Sequence, residues 1–167
     1  MGVKEHKCHA LKSVKCAIIT MSDTRTVETD ESGKYILESL KANGHEVVSY
    51  MVLKENVPEI QKEVQRILQE KSVQAIITNG GTGVSKRDIT IEAMLPQLEK
   101  TIDGFGEIFR ALSYKEIGSA AIMSRAIAGT CRGVAIFCLP GSINAVKLAM
   151  DKLIIPELGH IVWELSK

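Results

Sequence analysis

The sequence predicts a three-layer α/β domain with a mostly parallel central sheet and helices on both faces. Three observations carry that expectation. Short apolar runs alternate with amphipathic segments of helical period, and the runs stop abruptly at Gly, Pro or Asn. The chain has 167 residues, 45% hydrophobic and 25% charged, which suits one domain with its own core. At this size roughly 70% of the unfolded surface can be buried, so no staple is required. Aromatic residues make up only 4%, so that core must be aliphatic.

The first strand is expected over 13–20, where Val14, Cys16, Ala17, Ile18 and Ile19 form a buried run. Polar residues fill 22–32, and a helical face of Ile36, Leu37 and Leu40 follows, with Gly44 at the C-terminal cap position. A second strand occupies 45–53. Asn56 caps the next helix and Pro58 lies in its first turn; Ile60, Val64, Ile67 and Leu68 form its apolar stripe. The third strand, 73–78, ends at Asn79-Gly80-Gly81. Beyond it the pattern is less regular. Residues 105–115 read as a helix with Ile108, Phe109 and Leu112 on one side. A buried strand at 134–139 stops at Pro140-Gly141, and Ser142 or Asn144 can cap a last helix carrying Val146, Leu148, Ala149 and Leu153. Residues 154–165 are apolar enough to be helical and packed. Residues 1–12 read as a flexible N-terminal tail, which leaves 13–167 as a single domain.

Several functions are disfavoured. The chain carries 21 basic and 20 acidic side chains, a net charge of +1, so nothing in its electrostatics points to nucleic acid or an anionic membrane. Cys8, Cys16, Cys131 and Cys138 form no C-x-x-C pair and fit a reduced, cytoplasmic protein. Residues 1–15 lack the apolar region of a secretory signal, and no apolar run approaches the ~20 residues of a membrane span. The string His6-Lys7-Cys8-His9 matches no common structural zinc spacing. No G-x-S-x-G elbow, H-E-x-x-H helix or facing Cys–His pair occurs.

Ligands of open parallel sheets bind beyond the carboxyl ends of the strands. Three loops should meet there. The richest is Thr78-Asn79-Gly80-Gly81-Thr82-Gly83, whose glycines let the backbone approach phosphate oxygens while the two threonines add hydroxyls. Its spacing is neither a Walker loop nor a dinucleotide fingerprint. Asp88 stands close behind. A carboxylate beside phosphates is repelled by roughly 4 kcal/mol at 4 Å and an effective dielectric of 20, unless a divalent cation such as Mg²⁺ lies between. Capping the helix near Thr90 is the competing role for Asp88. In the first loop Ser22, Asp23 and Asp30 are polar candidates, either carboxylate serving a metal or a cap. In the third, Pro140, Gly141, Ser142 and Asn144 open a helix whose N-terminus favours anions or is simply capped. Ser124 and Arg125 close a small-residue segment, and the arginine fork suits phosphate, a planar ring's oxygen or a salt bridge.

Taken together, these strings resemble the MoaB/MogA family of molybdenum-cofactor biosynthesis proteins, also found as domains of gephyrin. The matching pieces are Thr78 to Gly83, Arg87-Asp88-x-Thr90, Gly104-Phe105-Gly106-Glu107 with Phe109-Arg110, Ser124-Arg125-Ala126, and Leu139-Pro140-Gly141-Ser142-x-Asn144-Ala145. The wording of 104–117 is nearer the MoaB branch. The resemblance implies a MogA-like fold and Mg²⁺-dependent transfer of an adenylyl group from ATP to molybdopterin, or else a non-catalytic molybdopterin carrier. It places Asp88 and Asp30 as catalytic and metal-holding residues, with Thr78 to Gly83, Ser22 and Asp23 on the nucleotide phosphates. Ser124, Arg125, Pro140, Gly141, Ser142 and Asn144 would receive the pterin. It also implies a homotrimer or homohexamer, with 154–163 as an interface or a core helix, and other molybdenum-cofactor enzymes as further partners. The chain departs from adenylating relatives at Asp30-Glu31-Ser32-Gly33, where an arginine is usual at Glu31, and at Asp103, where proline is common.

Overall fold

The computed structural model describes residues 10–167; the string His6-Lys7-Cys8-His9 lies outside the described residues. The strands are β1 (Lys15–Met21), β2 (Glu46–Leu53), β3 (Ala75–Asn79), β4 (Lys100–Thr101), β5 (Ile127–Cys131) and β6 (Val134–Leu139). The α-helices are α1 (Glu31–Ala42), α2 (Val57–Glu70), α3 (Thr90–Met94), α4 (Asp103–Ile117), α5 (Ile143–Ala149) and α6 (Ile155–Leu165). The strands form one sheet in the order β2-β1-β3-β6-β5-β4. Its first four members run parallel, β5 is antiparallel to β6, and β4 is antiparallel to β5.

Two cores flank this sheet. Cys16 and Ile18 point to the side covered by α1, α4, α5 and α6, while Ala17, Ile19 and Met21 point to α2 and α3. Burial on both faces is why β1 reads as a continuous apolar run instead of an alternating one. The stripe of α2 is buried throughout, and Asn56 caps it by accepting from Glu59 N at 3.0 Å. Cys16, Cys131 and Cys138 are free and buried; burial pushes the Cys16 thiol up to about 12 and Cys138 up to about 11. Among the described residues no helix is long and apolar enough to cross a membrane.

The structure departs from the sequence expectations in several places. Helix α1 begins at Glu31, ahead of its apolar face, because Asp30 caps it by accepting from Gly33 N at 3.0 Å. On α4, Phe105 and Phe109 share the buried face and Phe105 meets Phe137 edge-on at 5.5 Å, which turns Ile108 outward to 52% exposure. Strands β4 and β5 were not anticipated. β5 joins β6 through Arg132 and Gly133, at φ 50° and 77°, the left-handed pair that a two-residue hairpin turn requires.

The last helical region is continuous, with a π turn at Met150–Ile154 joining α5 to α6. Pro156 follows it; proline lacks an N–H and its ring crowds the carbonyl four residues back, and one extra residue in the turn relieves both. Ile154, Leu158 and Val162 are at most 3% exposed, so one face of this stretch packs in the core. Exposed apolar side chains lie on α4 and the 3₁₀ helix behind it, at Ile108, Ile117, Ile122 and Met123. Leu11, within the stretch expected as a tail, packs on α6. Leu11 N donates to Gly159 O at 3.1 Å, and a Cβ at Gly159 would sit 2.2 Å from Leu11 O.

Candidate active site

Three loops meet at the carboxyl edge of the sheet because β1, β3 and β6 are neighbours in register. Thr20 pairs with Asn79, and Asn79 with Leu139. Gly80 N donates to Leu139 O at 3.0 Å. Gly80 and Gly81 have φ of 92° and 63°, the left-handed region that favours glycine. A Cβ at Gly80 would meet Met21 O at 2.3 Å, and one at Gly81 would meet Thr90 Oγ1 at 2.4 Å. Gly141 rests directly on Gly80, its virtual Cβ 3.0 Å from the Gly80 Cα. The walls touch backbone to backbone.

The loop between β3 and α3 is held from below. Thr90 N donates to Gly81 O and Thr90 Oγ1 to Gly80 O, each at 2.9 Å. The N–H groups of Gly81 and Thr82 donate to no acceptor among the described residues, which leaves them for an anionic ligand. Thr78 is different. It lies fully buried between Ile19 and Cys138 in the α2–α3 core, so its hydroxyl does not serve the pocket, contrary to the expectation. Asn79 points to the opposite face, where its amide donates to Thr20 Oγ1 at 2.7 Å and its buried Oδ1 accepts nothing from the described residues.

Asp88 is half-buried. Its Oδ2 accepts from Ser85 N at 2.9 Å and Ser85 Oγ at 2.6 Å. The Ser85 hydroxyl first, then backbone N–H groups of Ser85 and Gly83 and the charge of Arg125, hold this carboxyl below its ordinary value against a desolvation that raises it. It does not cap α3, whose N-cap is Ile89. Glu55, a residue the sequence reading passed over, approaches the same loop; its Cδ lies 3.6 Å from where a Gly81 Cβ would be. Burial, then the charges of Asp23 and Asp88, raise the Glu55 carboxyl. Asp23 Oδ1 in turn accepts from Glu55 N at 3.2 Å. Two acids, Asp88 and Glu55, therefore flank the glycine-rich loop, with Asp23 behind Glu55.

Asp30 behaves otherwise, and its expected place on a metal is corrected by its surroundings. It is 0% exposed. Oδ2 accepts from Thr20 Oγ1 at 2.5 Å and Tyr50 OH at 2.8 Å, while Oδ1 accepts from Gly33 N at 3.0 Å and faces Arg25 Nη1 at 3.5 Å. These contacts fill the carboxylate's lone-pair directions. The residue fixes the first loop to α1 and β2. Ser22 likewise accepts from the Thr24 and Arg25 N–H groups, making a local turn. Ser22 and Asp23 line a separate cavity of about 400 Å³ with Arg25, Thr26 and Lys54. Thus Asp23 reaches the glycine-rich loop only by way of Glu55.

The residues expected at the pterin divide. Ser124, Pro140, Ser142 and Asn144 line one cavity of about 170 Å³ with Glu116 and Leu148. Ser142 is also the N-cap of α5, accepting from Ala145 N at 3.3 Å, and Asn144 lies inside that helix. Gly141 contributes its carbonyl to the first loop, accepting from Ser32 Oγ at 2.9 Å and Arg25 Nη1 at 3.4 Å. Arg125 leaves this cavity altogether and binds the glycine-rich loop, with Nε donating to Thr82 O at 2.9 Å.

Among the described residues no three His, Cys, Asp or Glu side chains form a ready metal cage. Asp88 keeps Oδ1 clear of the Ser85 contacts, and Glu55 is pushed toward its protonated form by burial first and then by Asp23 and Asp88. Such an edge fits an ion that completes its shell with water and substrate phosphates, as Mg²⁺ does.

Comparison with known proteins assigns this architecture. The family model described as "Probable molybdopterin binding domain" matches residues 17–160. The chain belongs to the MoaB/MogA family of molybdenum cofactor biosynthesis proteins. It is similar to molybdenum cofactor biosynthesis protein B of Bacillus cereus, 53% identical over 100% of this chain and 99% of that protein. The Bacillus subtilis protein of the same description is 52% identical over the same shares. Among solved structures, a molybdenum cofactor biosynthesis protein B has TM-score 0.90 at 53% identity, covering 93% of this chain and 97% of that one. The tungsten cofactor synthesizing protein MoaB of Pyrococcus furiosus has TM-score 0.85 at 38% identity, covering 95% and 100%. The MoaB/MogA sheet with helices on both faces, expected from sequence, is the fold observed. Membership in cofactor biosynthesis follows with it.

Proposed function

We propose that this family member transfers the adenylyl group of ATP to molybdopterin. The observation that carries the reading is the acidic edge of Asp88 and Glu55 beside the open Gly81 and Thr82 N–H groups. Acids placed against a phosphate cradle are costly unless a divalent cation accompanies the phosphates. Asp88, with Glu55 beside it, would hold Mg²⁺, which when bound neutralises charge on the nucleotide phosphates.

The chain's own residues then supply position. The Gly80 to Gly83 backbone cradles the nucleotide phosphates, and the cavity of Ser124, Pro140, Ser142 and Asn144 receives the pterin. Because Gly141 lies on Gly80, that cavity adjoins the cradle, and the pterin's terminal phosphate can face the α-phosphorus. A phosphate oxygen forms the new bond to that phosphorus, the bond to the β-phosphate oxygen breaks, and pyrophosphate leaves. Such transfer requires alignment and charge neutralisation more than covalent help from the protein.

The direct test is pyrophosphate release from ATP plus molybdopterin, with and without Mg²⁺. Release that needs all three components supports the transfer. Tight molybdopterin binding with no pyrophosphate formed would mean a carrier of the same cofactor instead.

A further inference from the structure

We infer that Arg125 is a positioning residue which sets the affinity for the magnesium–nucleotide substrate and not for the pterin. Naming that substrate rests on the transfer reading above; the geometry stands apart from it. Nε donates to Thr82 O at 2.9 Å, and Nη2 reaches Asp88 O at 3.4 Å. Nη1 and Nη2 also clamp the Glu92 carboxylate, at 2.5 Å and 3.2 Å. Thr82 and Asp88 bracket the turn that aims the Asp88 carboxylate, so one guanidinium pins both ends of that turn. Through Glu92 it fastens the turn to α3.

Little else does this work at the far end of the loop. Thr90 secures Gly80 and Gly81, but α3 has only 5 residues and its N-cap Ile89 makes no side-chain cap. All three nitrogens of Arg125 are engaged, which leaves no fork for a pterin ring or phosphate. The pairing is mutual: Glu92 raises the arginine's affinity for its proton, and Arg125 lowers the carboxyl of Glu92. Its neighbour Ser124 faces the other way, into the cavity with Pro140 and Asn144. Two adjacent residues thus serve opposite halves of the site.

The test measures Mg·ATP and molybdopterin binding separately, by calorimetry on the full chain, for wild type, R125Q, R125K and E92Q. Losing a charge-assisted hydrogen bond that holds the turn costs about 10- to 100-fold in an equilibrium constant, so R125Q should weaken Mg·ATP by up to that factor. R125K keeps the charge but loses the fork, and should weaken it by about 10-fold. E92Q, at a largely exposed side chain, should cost a few-fold and keeps the test open should R125Q fail to fold. Molybdopterin affinity should stay within about two-fold of wild type throughout, far below the loss that removing a charged hydrogen bond brings. Amide exchange over 82–88 in the ligand-free protein should quicken in all three variants. Weakened molybdopterin with unchanged Mg·ATP would overturn the assignment, as would an R125K protein that binds and exchanges like wild type. A wild type that binds Mg·ATP but releases no pyrophosphate removes the transfer reading alone.

Discussion

Asp30 and Asp88 follow two neighbouring parallel strands and look interchangeable in sequence, yet the fold gives them opposite work. Asp30 lies wholly inside, with Thr20, Tyr50 and Gly33 donating to it and Arg25 beside it. Asp88 stands at the surface of the pocket, stabilised on one oxygen by Ser85. The difference lies in how many donors the local backbone aims at each carboxylate. A fully satisfied buried acid becomes part of the scaffold. One satisfied on a single side keeps the capacity to meet a ligand.

The largest effect that could break this contrast is on stability. Asp30→Ala removes a helix cap worth ~1 kcal/mol and orphans buried donors at ~1–3 kcal/mol each. We expect a loss of about 3 kcal/mol or more, read from the midpoint of urea denaturation. An unchanged midpoint with abolished turnover would return Asp30 to the metal.

The converse holds for Asp88→Asn. Turnover should fall by about 10²-fold or more, since single electrostatic contacts to a transition state are worth that much, while the denaturation midpoint barely moves. Full pyrophosphate release from this variant would sink the role given to Asp88.

The smallest effect sharpens the acidic edge itself. The Glu55 carboxyl is raised above its ordinary 4.5 by burial and by Asp23 and Asp88. The folded state therefore holds that proton more tightly than the unfolded chain, and stability falls as pH rises from the ordinary value through the raised one. Glu55→Gln should melt slightly higher than wild type near pH 7, with the gap closing below about pH 4. Added Mg²⁺ should raise the melting temperature of wild type more than that of the variant. Melting curves that coincide at both pH values would remove Glu55 from the edge.

Much of this was legible in the sequence, and what was not has physical causes. Strands β1, β3 and β6 announce themselves because both faces are buried, and the caps at Asn56 and Ser142 follow from local chemistry. Strand β5 escaped notice because Ala128, Gly129 and Thr130 are small or polar, and its partner β4 has only 2 residues. The glycine-rich loop leaves the end of β3 as its residues predict, but strand alternation turns Thr78 into the core. Glu55 and Tyr50 were missed since their partners, Gly81 and Asp30, lie far along the chain. A clue existed: β2 is a further parallel strand whose end reaches the same edge. Arg125 was expected at the pterin, whereas its guanidinium engages Thr82 O, Asp88 O and Glu92, because its fork suits backbone carbonyls and carboxylates as well as ligands.

The backbone contacts among Met21, Gly80 and Gly141 bear on how such pockets can be re-engineered. A side chain added to one loop would be felt as a displacement of another, at 2.3 Å from Met21 O or 3.0 Å from the Gly80 Cα. Specificity transplants between relatives should therefore carry the three loops as one cassette, since a chimera that exchanges a single loop inherits a misfit that no substitution within that loop can cure.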